Sequence, residues 1–220
     1  MADSGVVGRI ARRVMRAGIV IGPEVIHDLA AYVELLFRWN RRMNLTALAW
    51  DDRGLDRLII EPLAAAQRLP AGAMSIIDIG SGSGSPAVPM KLAVPRVGLR
   101  MVESKTRKGA FLQEVVRQLG LSDTEILTCR YEDLPTRSGL HEAADVVTVR
   151  AVRVDDRSLK CLQQLVRGGG SVFLFKGESE QFQPKDVRPP LRYCGTYSLI
   201  DSLQSRLVVL VKKSEEKAKI

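Results

Sequence analysis

The string Asp78-Ile79-Gly80-Ser81-Gly82-Ser83-Gly84 sets one acid two positions ahead of glycines at every second residue, at the end of the apolar run MSIIDIG. Glycines so spaced allow a tight turn and let a ligand approach the backbone amides closely. A dinucleotide-binding turn would read G-x-G-x-x-G and set a pyrophosphate on the following helix. Here the spacing is G-x-G-x-G, and Pro86 marks an early helix start. Glu103 closes the next apolar run, VGLRMVE. One carboxylate there can accept both hydroxyls of a ribose. Asp78 can face an ammonium group or organise the loop, and the loop amides can hold a carboxylate. S-adenosylmethionine has those parts and no phosphate, so methyl transfer is the chemistry expected. The competing readings are a nicotinamide enzyme and a loop that serves chain geometry alone.

The elements that must position these groups follow from hydrophobic periodicity. Helices are predicted over residues 6–17, 24–43 and 52–67, the second carrying Val25, Leu29, Tyr32, Val33, Leu36 and Phe37 at helical spacing. From residue 74 to 176 strands alternate with helices: MSIIDIG, VGLRMVE, EILTC, ADVVTVR and SVFLF are strands, while 106–119 and 156–166 are helices. Glycines 168–170 are expected to close the last helix. Such alternation predicts an open parallel sheet. Runs at 193–200 and 205–212 suggest an antiparallel hairpin at its edge. The expected class is α/β, a Rossmann-like class I S-adenosylmethionine-dependent methyltransferase. Its expected parts are an N-terminal helical extension (1–70), a core (71–213) and a flexible tail (214–220). A ligand pocket belongs beyond the C-terminal strand ends. Arg130, Arg150, Lys176 and the pair Arg107–Lys108 fall there, with Arg150 the foremost substrate candidate.

The charge balance fits either a polyanionic partner or a generally basic surface. Lys and Arg number 33 against 25 Asp and Glu, a formal net charge of +8. Arg9, Arg12, Arg13 and Arg16 form either a solvated helix face or an RNA-touching arm. Cys129, Cys161 and Cys194 stand apart, and His27 and His141 have no ligand-like neighbours, so no metal site is expected. Reduced thiols, the lack of a long apolar run and the lack of a secretory leader point to a cytoplasmic protein with no membrane role. A monomer is the default.

The strings WNRRMNLTAL, DIGSGSGSP, VESKTRKGAFL, TVRAV and LFKG occur in that order. Together they resemble the bacterial small-subunit (16S) rRNA guanine-N7 methyltransferase family, also called the glucose-inhibited division protein B family, over roughly residues 25–212. The resemblance implies S-adenosylmethionine as donor, no metal, and 16S rRNA or a small-subunit precursor as partner. It implies donor contacts from Asp78, Gly80, Ser81, Gly82, Gly84, Glu103, Ser104, Arg130, Tyr131, Glu132 and Arg150. Arg150, Asn40 and Lys176 would act at the reacting atoms, and Asn44, Arg57, Arg107, Lys108 and Arg206 would touch RNA. Arg150 would fork onto guanine O6 or a flanking phosphate. The sequence departs from the family pattern before β-strand one, where Arg57 is kept but Glu61 stands for an aspartate and Pro62 for a serine. Ser85 and Ala87 depart on either side of the loop proline. Two other functions stay open: a divergent RNA-binding paralogue with weak or no activity, and a methyltransferase for another RNA or a small molecule.

Overall fold

The computed structural model describes residues 4–180 and 182–214. Seven strands make one sheet: β1 (Ser75–Ile79), β2 (Gly98–Val102), β3 (Thr124–Leu127), β4 (Ala144–Arg150), β5 (Val166–Lys176), β6 (Leu191–Ile200) and β7 (Ser205–Lys212). Their order is β3-β2-β1-β4-β5-β7-β6. The first five strands are parallel, and β7 runs antiparallel between β5 and β6, so the expected hairpin edge is present. The order reverses between β1 and β4, which opens a crevice beyond their C-terminal ends. Ile79 pairs with Val102 and with Val149, so Gly80, Glu103 and Arg150 leave the sheet at one edge.

The side-chain period of two splits each strand between two cores. Ile76, Met101, Val146 and Phe173 face one cluster, and Ile77, Val102, Val147 and Leu174 face the other. Helices α5 (Ala87–Ala93) and α6 (Thr106–Leu119) cover the first face, and α7 (Asp156–Leu165) covers the second. Asp155 caps α7 by accepting the Ser158 N–H at 2.9 Å.

Glycines 168–170 do not close α7 as expected. The helix ends at Leu165 and β5 begins at once. The β4–β5 register shifts between Ala144 and Val146, and a Cβ at Gly170 would lie 2.8 Å from the Asp145 carbonyl oxygen. The glycines therefore let β5 pass close over that irregularity.

The N-terminal helices complete the first face. Helix α2 (Pro23–Met43), with Pro23 in its first turn, buries Leu29, Tyr32, Val33 and Leu36. Helix α1 (Ser4–Arg16) buries Val6, Ile10 and Val14. Its arginines are only partly the free face expected. Arg9 pairs with Asp52 at 3.0 Å, and Arg13 binds both Asp52 and Asp56. Those two fix α1 to the segment that follows α2, at Asp52 and Asp56, while Arg12 and Arg16 are exposed.

The helix expected over 52–67 is broken into α3 (Asp52–Leu55), a wider π turn (Asp56–Ile60) and α4 (Glu61–Ala66). The Glu61 N–H reaches back to the Asp56 carbonyl, one residue further than in an α-helix. Pro62 has no N–H to give. The carbonyls of Arg57 and Leu58 thus lose their regular donors, and both are used at the site described below. Among the described residues no helix is long and apolar enough to cross a membrane. The expected tail lies outside the described residues from position 215 onward.

Candidate active site

A cleft of about 370 Å³ opens at the carboxyl edge of the sheet. The loop Gly80–Ser85, Glu103 after β2, Lys108 on α6, and Arg150–Ala151 after β4 supply its base. Residues Leu45–Leu48 and Arg57–Leu58 form its other wall. Gly80, Gly82 and Gly84 have φ of 71°, 51° and 88°. These left-handed values explain the glycines at the turn. Gly80 and Ser81 donate to the Val102 carbonyl at 2.9 and 3.0 Å, tying the loop to β2. From below, the buried Tyr32 hydroxyl donates to the Ser83 carbonyl at 2.7 Å.

The two acids divide the loop between them. Glu103 Oε2 accepts the Gly82 N–H at 3.0 Å and Oε1 accepts the Lys105 N–H at 2.8 Å. Asp78 does not line the cleft surface. It is 1% exposed, beneath the loop, where Oδ1 accepts the Thr148 hydroxyl at 2.6 Å and Oδ2 has no hydrogen-bond partner. Burial pushes its carboxyl up to about 6, opposed by the Ser81 and Thr148 hydroxyls.

Arg150, expected to fork onto substrate, turns inward. Its Nη1 donates to the Arg57 carbonyl at 2.7 Å and to Ser85 Oγ at 3.1 Å, and its Nη2 donates to Glu61 Oε2 at 2.9 Å. Ser85 in turn donates to the Leu58 carbonyl at 2.9 Å. The two carbonyls released by the π turn and Pro62 are therefore capped by Arg150 and Ser85. Burial pushes the Glu61 carboxyl up, while Arg150 and then the Ser205 hydroxyl pull it back. Even so, Glu61 Oε1 and Ser205 Oγ complete no hydrogen bond. Ala151 follows at φ 55°, a left-handed conformation that is strained for a residue with a Cβ.

Asn40 also acts on the chain itself. Its amide donates to the Thr46 carbonyl at 3.0 Å and accepts the Thr46 N–H at 2.9 Å, so it shapes the cleft wall at Thr46. Asn44 ends α2 in the left-handed region, as a cap. Lys176 pairs with Glu180 at 3.1 Å. The half-buried Trp39 meets Phe111 at a centroid distance of 5.7 Å. Lys176, the exposed Arg206, Glu61 and Phe175 border a second cavity of about 70 Å³, which shares Arg57, Arg150 and Ala151 with the cleft.

Other expected residues stay apart. Ser104, Arg107, Arg130 and Glu132 are exposed and do not line the cleft, and the Tyr131 hydroxyl meets Ser158 at 3.1 Å. Gly84 packs near Val88, Leu112 and Tyr32. Sequence reasoning missed Ser85, Glu61 and Ala151 as members of the site and Tyr32 as a support. The only available signal was that the departures at 61, 62 and 85 flank the loop.

The residues fit S-adenosylmethionine. Asp78, with one oxygen unpartnered, sets negative charge beneath the loop, under a cleft that an ammonium or sulfonium would enter, and Gly82 lines that cleft. The atoms nearest a Cβ at Gly82 would be Gly80 O, Lys108 Nζ and Glu103 Oε2, at 3.6, 3.8 and 4.0 Å. Gly82→Val is therefore expected to strain the backbone by about 1–3 kcal/mol and to weaken donor binding by at least about tenfold. Calorimetric titration with S-adenosylmethionine checks this, and unchanged affinity would remove the loop from the donor site. At Gly80 the same Cβ would strike Val152 at 2.6 Å, so substitution there reads packing instead.

The strand order, the reversal between β1 and β4, and the glycine loop between two acids define a class I S-adenosylmethionine-dependent methyltransferase fold with an N-terminal helical extension. The same architecture occurs in a mutant MtNAS solved in complex with S-adenosylmethionine, at TM-score 0.56 and 14% identity, over 83% of this chain and 75% of that one. A SAM-dependent methyltransferase from Aquifex aeolicus matches at TM-score 0.54 and 12% identity, over 71% of this chain and 92% of that one. Within that class, the chain belongs to the family described as rRNA small subunit methyltransferase G, which matches residues 25–191. Ribosomal RNA small subunit methyltransferase G of Syntrophotalea carbinolica is 30% identical over 187 residues, 85% of each chain.

Proposed function

We propose that this protein transfers a methyl group from S-adenosylmethionine to N7 of one guanine in 16S rRNA. The observation that carries the reading is the donor cleft joined, through Arg57, Arg150 and Ala151, to a second cavity bordered by Lys176 and Arg206. The donor supplies an electrophilic methyl on its sulfonium. With the donor bound, the loop amides, with the Asp78 charge beneath them, would hold its amino-acid end, and Glu103 would hold its ribose hydroxyls. Guanine N7 bears a lone pair and no proton at neutral pH, so its attack needs no general base. Glu103 is the sole acid lining the cleft among the described residues, in keeping with a site that aligns reactants and excludes water. Arg150 is a positioning residue in this scheme, since it holds the wall carrying Arg57 and Leu58. Residues 71–213 form the methyltransferase core, and 1–70 the helical extension.

RNA engages a basic surface around the mouth. Arg38, Arg41 and Arg42 are exposed at the end of α2, which runs directly into the cleft wall at Leu45–Leu48. Arg13 is unsuited to a binding test, because its replacement would loosen α1. The test is transfer of labelled methyl to small-subunit rRNA, with the product nucleotide mapped and binding measured across salt. Log affinity should fall linearly with log salt, by roughly 0.7 for each phosphate contact to single-stranded RNA. Replacing Arg41 and Arg42 together should flatten that slope by about one. A wild-type slope near zero, with methyl transferred to a small molecule instead, would overturn the RNA reading.

A further inference from the structure

We propose that Glu61 reads the target base, its Oε1 accepting hydrogen bonds from N1–H and the 2-amino group of guanine in the small cavity beside the cleft. The assignment rests on the guanine-N7 reading above and deepens it. Glu61 is 2% exposed, Oε2 is held by Arg150, and Oε1 has no partner. A buried acceptor left unmatched costs free energy, which a donor-bearing ligand recovers. The Ser205 hydroxyl, buried beside Glu61 and outside the cavity lining, pulls the carboxyl down but completes no hydrogen bond.

The shapes agree with the chemistry. A cavity of about 70 Å³ takes the edge of a base rather than a whole base. Guanine carries N1–H and the 2-amino group at one end of the purine and N7 at the other. With the first end against Glu61, the imidazole end turns back through the shared boundary at Arg57 and Ala151 into the donor cleft. Lys176 and Arg57 then lie on the flanks where O6 and the neighbouring phosphates pass. Adenine presents an acceptor, N1, at the same position and would meet a carboxylate with no donor between them. The buried Arg150–Glu61 pair thus has a second role: Arg150 fixes one oxygen so that the other stays aimed as a single acceptor.

The experiment compares single-turnover transfer to RNA carrying guanosine or inosine at the target position, for wild type and Glu61→Gln. Inosine keeps N7 and N1–H but lacks the 2-amino group. Wild type is expected to favour guanosine by about ten- to a hundredfold. Glu61→Gln directs its amide oxygen to Arg150 and its NH2 to the cavity, so it should be slow on guanosine and show a preference near one. Donor affinity should stay within about twofold of wild type, which separates base reading from damage to the cleft. Equal guanosine preference in both enzymes assigns Glu61 to support of Arg150 alone and overturns the proposal. So does a wild type that methylates both RNAs alike, a result that holds even if the variant fails to fold. Absence of guanine methylation by wild type overturns the N7 reading, and this assignment falls with it.

Discussion

Replacing Arg150 with alanine is expected to lower the unfolding free energy by about 3–5 kcal/mol, because it leaves a buried carboxylate without its cation. The Arg150 side chain is 16% exposed and the Glu61 side chain 3%. Removing Arg150 also uncaps the Arg57 carbonyl, which the π turn has already deprived of a regular donor. Urea denaturation at pH 7 measures the loss. Its pH dependence has a defined sign. Burial already raises the Glu61 carboxyl, and without the attraction of Arg150 it rises further. The folded variant then holds a proton that the unfolded chain releases near its ordinary value, so its stability falls as pH rises through that window. The deficit should therefore be larger at pH 8 than at pH 5. Pairing Arg150→Ala with Glu61→Leu should recover part of it, since an apolar pair needs no compensation. A loss below about 1 kcal/mol, with methyl transfer abolished, would return Arg150 to the substrate-contacting role first expected from its strand.

The parallel sheet and its edge were legible because apolar runs of strand length alternate with helical stripes, and tertiary packing follows that alternation directly. The donor loop was legible for a different reason: glycine is strongly favoured at its three left-handed positions, so geometry leaves a residue-level trace. The destination of Arg150 left no such trace. Its position at the end of ADVVTVR is equally compatible with a guanidinium pointing out or folding back. Choosing between them needs the Arg57 and Leu58 carbonyls, and their availability depends on a π turn that helical periodicity does not reveal. Pro62 was the visible clue, since it removes a donor inside a helix. Asn40 was ambiguous in the same way. Its spacing to Thr46 allows a closed pair of backbone hydrogen bonds, but an exposed catalytic amide has the same sequence. Arg9 and Arg13 read as surface until Asp52 and Asp56 meet them across two helices. In each case the element was written locally and the partner was set by packing between distant segments.

Asp78 should give the folded protein a stability that declines as the solution is made less acidic. Its carboxyl is pushed up to about 6 from an ordinary value of 3.8. Between those values the folded state keeps a proton that the unfolded chain has lost, so stability falls with rising pH across roughly pH 4 to 6 and levels off above. At 1.36 kcal/mol per pH unit the loss attributable to this one group is about 3 kcal/mol. Other carboxylates titrate in the same range, and Asp145, held down against its burial by the Met74 N–H, Arg167 and Ser75, contributes with the opposite sign. The measurement is therefore a difference: urea unfolding of wild type and Asp78→Asn from pH 4 to 8. The asparagine keeps an acceptor for Thr148 but cannot ionise. Wild type should lose about 2.4 kcal/mol relative to the variant over that interval, and parallel curves would mean that Asp78 is solvated or already paired. The donor provides the second half of the test. If its ammonium meets the unpartnered Oδ2, binding stabilises the ionised form and expels the proton. S-adenosylmethionine affinity should then weaken below pH 6 by up to tenfold per unit, with proton release detectable as a buffer-dependent binding enthalpy at pH 5.5 and absent at pH 8. Asp78→Asn should bind more weakly at neutral pH and show neither effect. A variant that binds the donor as wild type does at every pH would confine Asp78 to bracing the loop through Thr148.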